Sequence, residues 1–216
     1  MLTDYHCHVL PGIDDGAENA EISKKMLDIM KMQGVGRVFL TPHFYPHREN
    51  SVDEFLNKRA AAFEKISDTI GLEFHLGAEV AVERHFSEIP QIGKLAAEGT
   101  DLILLELPFS GYGRWVLDEI HDLVCDTQLT PVFAHIHRYI GIYSKSELNE
   151  VLNENAIFQV NAEAFSNFRE RRFVKKLINS DAEVVFGSDA HNLKNRKPNF
   201  DLLKKKAKSD WLSSIR

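Results

Sequence analysis

Seven short apolar segments alternate with helical segments along the chain, and this alternation limits the possible folds more than any other feature. After the opening strand "LTDY", the apolar segments are VFL (38–40), LEFHLGA (72–78), LILLEL (102–107), PVFA (131–134), IFQV (157–160) and EVVFG (183–187). Their spacing suits βα units of roughly 30 residues each. Strands and helices that alternate throughout a chain predict parallel strands joined by right-handed crossovers.

The segments between the strands show helical periodicity. Residues 18–33, 52–70 and 166–180 each place apolar side chains on one face, and "SKSE" at 144–147 has the pattern of a capping box that opens another helix. We therefore predict an α/β fold, a distorted seven-stranded (β/α)7 barrel of the TIM type. A doubly wound open sheet is the alternative, but no Gly-rich phosphate loop follows the first strand.

The composition limits the classes of protein to which the chain can belong. A net charge of −6 at pH 7 argues against broad nucleic-acid binding. Cys7 and Cys125 make no disulfide framework, which favours a reducing compartment. The sequence shows no N-terminal signal segment and no apolar run of roughly 20 residues that could span a bilayer. We expect a cytoplasmic protein whose residues 1–216 form a single domain.

Side chains that bind metals follow almost every apolar segment. In a barrel, the carboxyl ends of all strands open onto the same mouth, so these side chains are expected to converge there. They are His6, His8, Asp15, His43, Glu79, Glu106, His135, Asp189 and His191. Asp14 is the alternative to Asp15 in the "IDDG" loop.

A pocket with five imidazoles and four carboxylates implies bound cations. A catalytic zinc takes about three protein ligands, so nine donors exceed the needs of one ion. Two or three divalent ions bridged by a carboxylate would use them all, and three would leave a positive excess suited to a phosphate ester dianion. The mixed donor set suits manganese, iron or zinc. Glu106 is the strongest single indication, because an unpaired carboxylate in so apolar a strand would be costly.

The motifs resemble those of a known superfamily from residue 3 to about residue 200. They are DYHCHVLPGIDDGA, TPHFYP, GAEV, ELPF, AHIHR, and SDAHN followed by Arg196. Together they resemble the PHP (polymerase and histidinol phosphatase) superfamily, and more narrowly its CpsB/CapC branch of bacterial manganese-dependent protein-tyrosine phosphatases.

The resemblance implies a distorted barrel with a trinuclear metal centre, with manganese favoured and iron, zinc or magnesium as alternatives. The implied ligands are His6, His8, Glu79 and Asp189 for one ion, Glu79, Glu106 and His135 for a second, and Asp15, His43 and His191 for a third. It also implies that Arg138 and Arg196 bind the phosphate, which suits the planar guanidinium group. The implied partner is a phosphotyrosine protein, a bacterial tyrosine autokinase of capsule or exopolysaccharide assembly.

The chain departs from the family pattern in three places. Ile136 and His137 stand where relatives often have Pro and Glu, and we expect His137 at the rim of the site rather than as an extra proton carrier. QVNAEAF (159–165) replaces a stretch richer in Gly and Ser. The lysine-rich "LLKKKAKSD" (202–210) stands near the C-terminal end of the sequence, where relatives commonly continue further.

These features predict a phosphomonoester hydrolase that acts on phosphotyrosine in proteins, in which metal-activated hydroxide attacks phosphorus while the ions, Arg138 and Arg196 bind the phosphate. A thiol phosphatase is disfavoured, since Gly12 and Thr130 rather than arginine stand five residues after the two cysteines.

Three alternatives stay open. The first is a small-molecule phosphatase of the same superfamily, such as one for histidinol phosphate. A metal-dependent amidohydrolase would usually add a strand-end lysine, where this chain has glutamates. The third is a non-enzymatic, metal-stabilised scaffold that docks on a tyrosine kinase, in which Arg138 and Arg196 would have no purpose.

Overall fold

The computed structural model describes residues 1–206, in which β-strands alternate with α-helices. The strands are β1 (Leu2–Cys7), β2 (Val35–Leu40), β3 (His43–Phe44), β4 (Glu73–Leu76), β5 (Glu79–Ala81), β6 (Leu102–Glu106), β7 (Thr130–Phe133), β8 (Ile157–Asn161) and β9 (Val184–Gly187). The helices are α1 (Ala20–Met32), α2 (Val52–Glu64), α3 (Trp115–Thr127), α4 (Lys145–Leu152), α5 (Phe168–Ile178) and α6 (Asp201–Lys206). Residues 207–210 of the lysine-rich segment 202–210 lie outside the described residues.

The helices predicted from periodicity all form, and side-chain caps set where they begin. Asn19 and Ser51 each accept a hydrogen bond from a backbone N–H in the first turn of α1 and α2. The capping box predicted for α4 is complete, with Ser144 and Glu147 bonding each other's backbone. The helices α1, α2 and α5 are shorter than the amphipathic segments that predicted them, and α2 begins at the predicted residue but ends six residues earlier, at Glu64. The periodicity analysis missed α3 altogether.

The strands pair in parallel, as predicted, but within residues 1–206 they form two sheets rather than one closed ladder of seven strands. The first sheet has the order β1-β2-β4 and the second the order β3-β5-β6-β7-β8-β9. Two of the predicted strand positions are each split into two short strands, at Thr41–Pro42 and at Gly77–Ala78. Pro42 has no N–H group to donate, so a regular ladder is interrupted there.

The two sheets meet where β1 lies beside β9. The Asp189 N–H donates to the His6 carbonyl at 2.8 Å, and the His8 N–H donates to the Ala190 carbonyl at 2.9 Å. These bonds bring the first strand of the chain against the last one. The two ends of the predicted motif set, HCH and SDAH, therefore lie side by side.

Apolar packing extends from the first strand to the last. A large cluster of buried residues lies between the strands and the helices. A second cluster joins side chains of β1, β2, β6, β7, β8 and β9: Tyr5, Phe39, Leu104, Val132, Ile157 and Val185. Strands of both sheets thus share one core, which holds their carboxyl ends together. None of the helices in the described part of the chain is both long and apolar enough to cross a membrane.

Candidate metal centre

Seven of the nine predicted donor residues lie near the carboxyl ends of strands or in the loops that follow them, and the other two begin the short strands that follow the breaks at Thr41–Pro42 and Gly77–Ala78. β1 and its loop carry three of them, β3 and β5 carry His43 and Glu79, and β6 ends at Glu106. His135 follows β7, and Asp189 and His191 follow β9. The structure brings these segments together at one side of the sheets, as the strand-end argument predicted.

Glu79 is at the centre of the group. Its Oε2 lies 3.2 Å from His6 Nε2, 3.2 Å from His8 Nε2 and 3.0 Å from His43 Nδ1. Its Oε1 lies 2.9 Å from His135 Nε2. Both carboxylate oxygens therefore face imidazoles, and the side chain is 1% exposed. A bridging carboxylate needs its two oxygens directed in this way.

Asp189 forms a second focus beside Glu79. Its Oδ1 lies 3.7 Å from His6 Nε2, 3.5 Å from His8 Nε2 and 3.5 Å from His191 Nδ1. Arg138 Nη2 approaches Oδ2 at 2.7 Å, and Arg196 Nη2 approaches Oδ1 at 2.7 Å. The two arginines predicted to bind phosphate thus flank the donor group.

Asp15 and Glu106 lie at its edges. Asp15 Oδ1 is 3.4 Å from His191 Nε2 and 3.6 Å from His43 Nε2, and its side chain is 65% exposed. Glu106 Oε1 lies 3.4 Å from His135 Nε2. These two carboxylates face the open side of the site.

The described donor atoms form three groups compact enough to hold an ion: His8, Asp15, His43 and His191; His6, His8 and Asp189; and His43, Glu79 and Glu106. The family resemblance also implied three groups of ligands, but the residues assigned to each of those groups differ from the residues that the geometry places together. His8 and His43 each belong to two of the geometric groups, whereas His135 belongs to none of them. The contacts of His135 with Glu79 and Glu106 keep it adjacent to the third group.

The outer nitrogens of three imidazoles are held by hydrogen bonds. His6 Nδ1–H donates to Gln159 Oε1 at 3.0 Å, His8 Nδ1–H to Asp14 Oδ2 at 2.7 Å, and His191 Nδ1–H to the carbonyl of Asp189 at 3.0 Å. Such bonds fix the tautomer and direct Nε2 inward, as they do for histidines that bind metals. His6 Nε2 and His8 Nε2 lie only 3.0 Å apart. The donor set therefore fits divalent metal ions.

The carboxylates shift the pKa values of the imidazoles strongly. Burial lowers the pKa of His8, but hydrogen bonds with Asp14 and Glu79 outweigh it and raise the pKa to about 10. Burial likewise opposes the bonds of His135 with Glu106 and Glu79, which raise its pKa to about 9. Burial alone would raise the pKa of Glu79, yet the surrounding imidazoles hold it well below its usual value. The carboxylate thus stays charged, as a metal ligand must be.

Several residues at the site were not predicted from the sequence. Gln159 Oε1 accepts hydrogen bonds from His6 and from the His135 N–H (2.6 Å). Asn161 Nδ2 donates to Asp189 Oδ2 at 3.0 Å, and Glu163 Oε1 accepts from Arg138 at 2.7 Å. The available signal was the alternation of polar residues in QVNAEAF, which places 159 and 161 on one face of β8.

The expectation that His137 lies at the rim was wrong. The residue is 1% exposed, and neither ring nitrogen has a hydrogen-bond partner among the described residues. It lies in the 3₁₀ helix Ile136–Tyr139 that follows His135. Burial and the neighbouring His135 lower its pKa well below the usual value, so the ring is neutral.

Comparison with known proteins decides the family. The sequence matches the family described as "Capsular polysaccharide synthesis, CpsB/CapC" over residues 2–215. The chain belongs to the CpsB/CapC family. This confirms the resemblance seen in the motifs.

Among the proteins of similar sequence are two that are named tyrosine-protein phosphatases. The phosphatase YwqE of Bacillus subtilis (strain 168) is 29% identical over 210 residues, which cover 90% of this chain and 79% of YwqE. The phosphatase CpsB of Streptococcus pneumoniae is 26% identical over 226 residues, which cover 95% of this chain and 90% of CpsB.

A solved structure supports the fold of this CpsB/CapC chain. It comes from work on YwqE of B. subtilis and CpsB of S. pneumoniae, described there as metal-dependent tyrosine phosphatases. The TM-score is 0.80 at 24% sequence identity, and the match covers 98% of this chain and 90% of the other. The arrangement of strands and helices is therefore that of a known fold.

Proposed function

We propose that this protein is a metal-dependent protein-tyrosine phosphatase that hydrolyses phosphotyrosine in proteins. One observation carries the proposal: Glu79 contacts four imidazoles within 3.2 Å, directly beside an aspartate that two arginines approach. Membership of the CpsB/CapC family and the names of YwqE and CpsB support the same activity.

The residues that would hold two or three divalent ions are those of the three geometric groups together with His135. Manganese is the favoured metal, with iron, zinc or magnesium as alternatives, because imidazole and carboxylate are mixed in the donor set. When bound, such ions lower the pKa of water toward neutrality and attract phosphate oxygens. Gln159 and Asp14 hold the rings of His6 and His8 from outside and so keep the donor atoms in place.

Arg138 and Arg196 would bind the phosphoryl group and balance the charge that develops during its transfer. Glu163 holds Arg138 through a 2.7 Å bond, which limits the positions of its guanidinium group. The leaving phenol has a pKa near 10 and needs less protonation than an aliphatic alcohol. This agrees with the lack of an evident general acid among the described residues around the donor group.

We further propose that residues 1–216 form a single domain of the PHP type, in which the two sheets together provide the seven strand positions of a distorted barrel. The core shared by strands of both sheets and the contact of β1 with β9 support this arrangement. The proposal also includes a cytoplasmic location. The proposed substrate protein is a bacterial tyrosine autokinase of capsule assembly, and the description of the family supports the link to capsule synthesis.

The test is phosphate release from a phosphotyrosine peptide by the purified protein with added Mn²⁺. We expect turnover that stops after exhaustive chelation and returns when Mn²⁺ is restored. Histidinol phosphate, assayed in parallel, should be the poorer substrate. Turnover that survives chelation contradicts the metal-dependent reaction, and a preference for histidinol phosphate contradicts the assignment to phosphotyrosine.

A further inference from the structure

A cavity of about 370 Å³ adjoins the candidate metal centre. Glu106 lines the cavity and also belongs to one of the three donor groups, so the cavity lies next to those donors. Three aromatic side chains line the cavity: Tyr45, which follows β3, Phe109 from the connection between β6 and α3, and Trp115 at the start of α3. Its volume lies in the range of roughly 300–1,000 Å³ that is typical of small-molecule sites.

Two of these aromatic rings lie directly against expected metal ligands. The Tyr45 ring stacks on His43 with 5.0 Å between centroids, and the Phe109 ring stacks on His135 at 5.6 Å. Phe109 also stacks on Tyr139 at 4.9 Å, and the Tyr139 hydroxyl donates to the Leu107 carbonyl at 2.6 Å. The Phe109 ring is thus held in place from behind.

Phe109 is nevertheless 44% exposed. A large apolar ring that is held in place but partly open, beside a charged cluster, offers an aromatic face to a ligand whose charged end occupies that cluster. Farther along the cavity, the Arg84 guanidinium lies 4.7 Å from the centre of the Trp115 ring, and Glu83 pairs with the nearby His47. That end is polar enough to contact a peptide backbone.

We propose that this cavity binds the phenyl ring of phosphotyrosine and selects aryl phosphates over alkyl phosphates. The inference rests on the proposed function, because it assumes that the phosphoryl group occupies the donor cluster. Aromatic rings attract each other at centroid distances of 4.5–7 Å, beyond the gain from buried area. Phe109 and Tyr45 stack on His135 and His43 of the donor cluster, so a phenyl ring attached to a phosphate bound there would meet them.

The test measures binding rather than turnover, by titration calorimetry on the Mn²⁺-loaded protein. Phenylphosphonate and methylphosphonate share the charged group and differ in the ring. The wild-type protein should bind phenylphosphonate about tenfold more tightly. In Phe109→Ala this preference should fall to about one, with the dissociation constant for methylphosphonate changed by less than about twofold.

Two further variants distinguish loss of the aromatic face from loss of packing and from a general effect of removing an aromatic ring. Phe109→Leu retains apolar packing on His135 but lacks the aromatic face, and it should lower the preference at least about threefold. Phe168→Ala removes an aromatic ring that is 72% exposed on α5, away from the cavity, and it should leave the preference unchanged. Metal content is measured for each protein.

Equal affinity of the wild-type protein for the two phosphonates overturns the proposal. So does a Phe109→Ala variant that loses both ligands equally, since Phe109 would then only support His135. The proposed function is judged separately, by turnover of the phosphotyrosine peptide. Absent turnover with an intact phenyl preference would refute the phosphatase activity and leave the binding site standing.

Discussion

Asp14 and Asp15 are neighbours in one loop, yet their side chains make different contacts. Asp14 is 7% exposed in its side chain and lies behind His8, whose Nδ1–H donates to it at 2.7 Å. It also accepts hydrogen bonds from the backbone N–H groups of Gly16 (2.9 Å) and His43 (3.0 Å). Asp15, 65% exposed, turns toward His43 and His191 instead. We therefore expect Asp15 to bind metal and Asp14 to orient a ligand.

The substitutions Asp14→Asn and Asp15→Asn separate these roles. In Asp14→Asn the bond to His8 becomes neutral, and a hydrogen bond to a charged group is worth about 1 kcal/mol or more beyond a neutral one. A loss of about 1.4 kcal/mol corresponds to a tenfold weaker affinity, at the lower limit of the 10–100-fold cost of losing an outer partner. Asp14→Asn should therefore retain the wild-type number of ions with about tenfold weaker binding.

Asp15→Asn should instead lower the number of bound ions by one, because it removes a charged ligand from one group. Both are measured by Mn²⁺ titration and elemental analysis, with Asp28→Asn on the exposed face of α1 as the matched control. The reasoning is refuted if Asp14→Asn loses an ion while Asp15→Asn binds like the wild-type protein.

The other predictions concern the bridging carboxylate of Glu79, the binding of phosphate by Arg196, and the packing of Gly187 against His6. Glu79→Gln should remove most of the bound metal, because it neutralises the carboxylate shared by four imidazoles; full metal content measured by elemental analysis would contradict this. Arg196→Ala should reduce turnover of a phosphotyrosine peptide by about 10²–10³-fold with metal content intact. An unchanged rate would favour the non-enzymatic scaffold. Gly187→Ala would place a Cβ 2.6 Å from His6 Cβ, so we expect about 1–3 kcal/mol of destabilisation in thermal unfolding. Gly77→Ala is the control, because its Cβ would meet nothing closer than 3.4 Å; equal melting temperatures would count against the packing argument.

The sequence predicted the convergence of the donor residues better than it predicted the sheet. Apolar segments that end in His, Asp or Glu can be recognised directly in the sequence. Parallel strands bring such ends together whatever the order in which the strands pair. The interruption at Pro42 arises because this residue has no N–H group to donate to a neighbouring strand. The periodicity of apolar residues does not show at which positions the pairing of strands needs such a donor. The strand count therefore differed although the positions of the donor residues did not.

The supporting residues were harder to predict because their roles depend on direction. Asp14 and Asp15 have the same chemistry and adjacent positions, and only the path of the loop separates them. Gln159 reaches His6 across a sequence separation of 153 residues. His137 was expected at the rim because it is polar, but the short helix after β7 turns it inward. The aromatic cavity likewise combines residues of distant segments.

The most direct test of the central claim is diffraction from crystals grown with Mn²⁺, recorded on both sides of the manganese absorption edge. The account predicts two or three anomalous peaks within coordination distance of the carboxylates of Glu79 and Asp189. A map with no peak at these side chains, from protein that releases phosphate from phosphotyrosine, would contradict it.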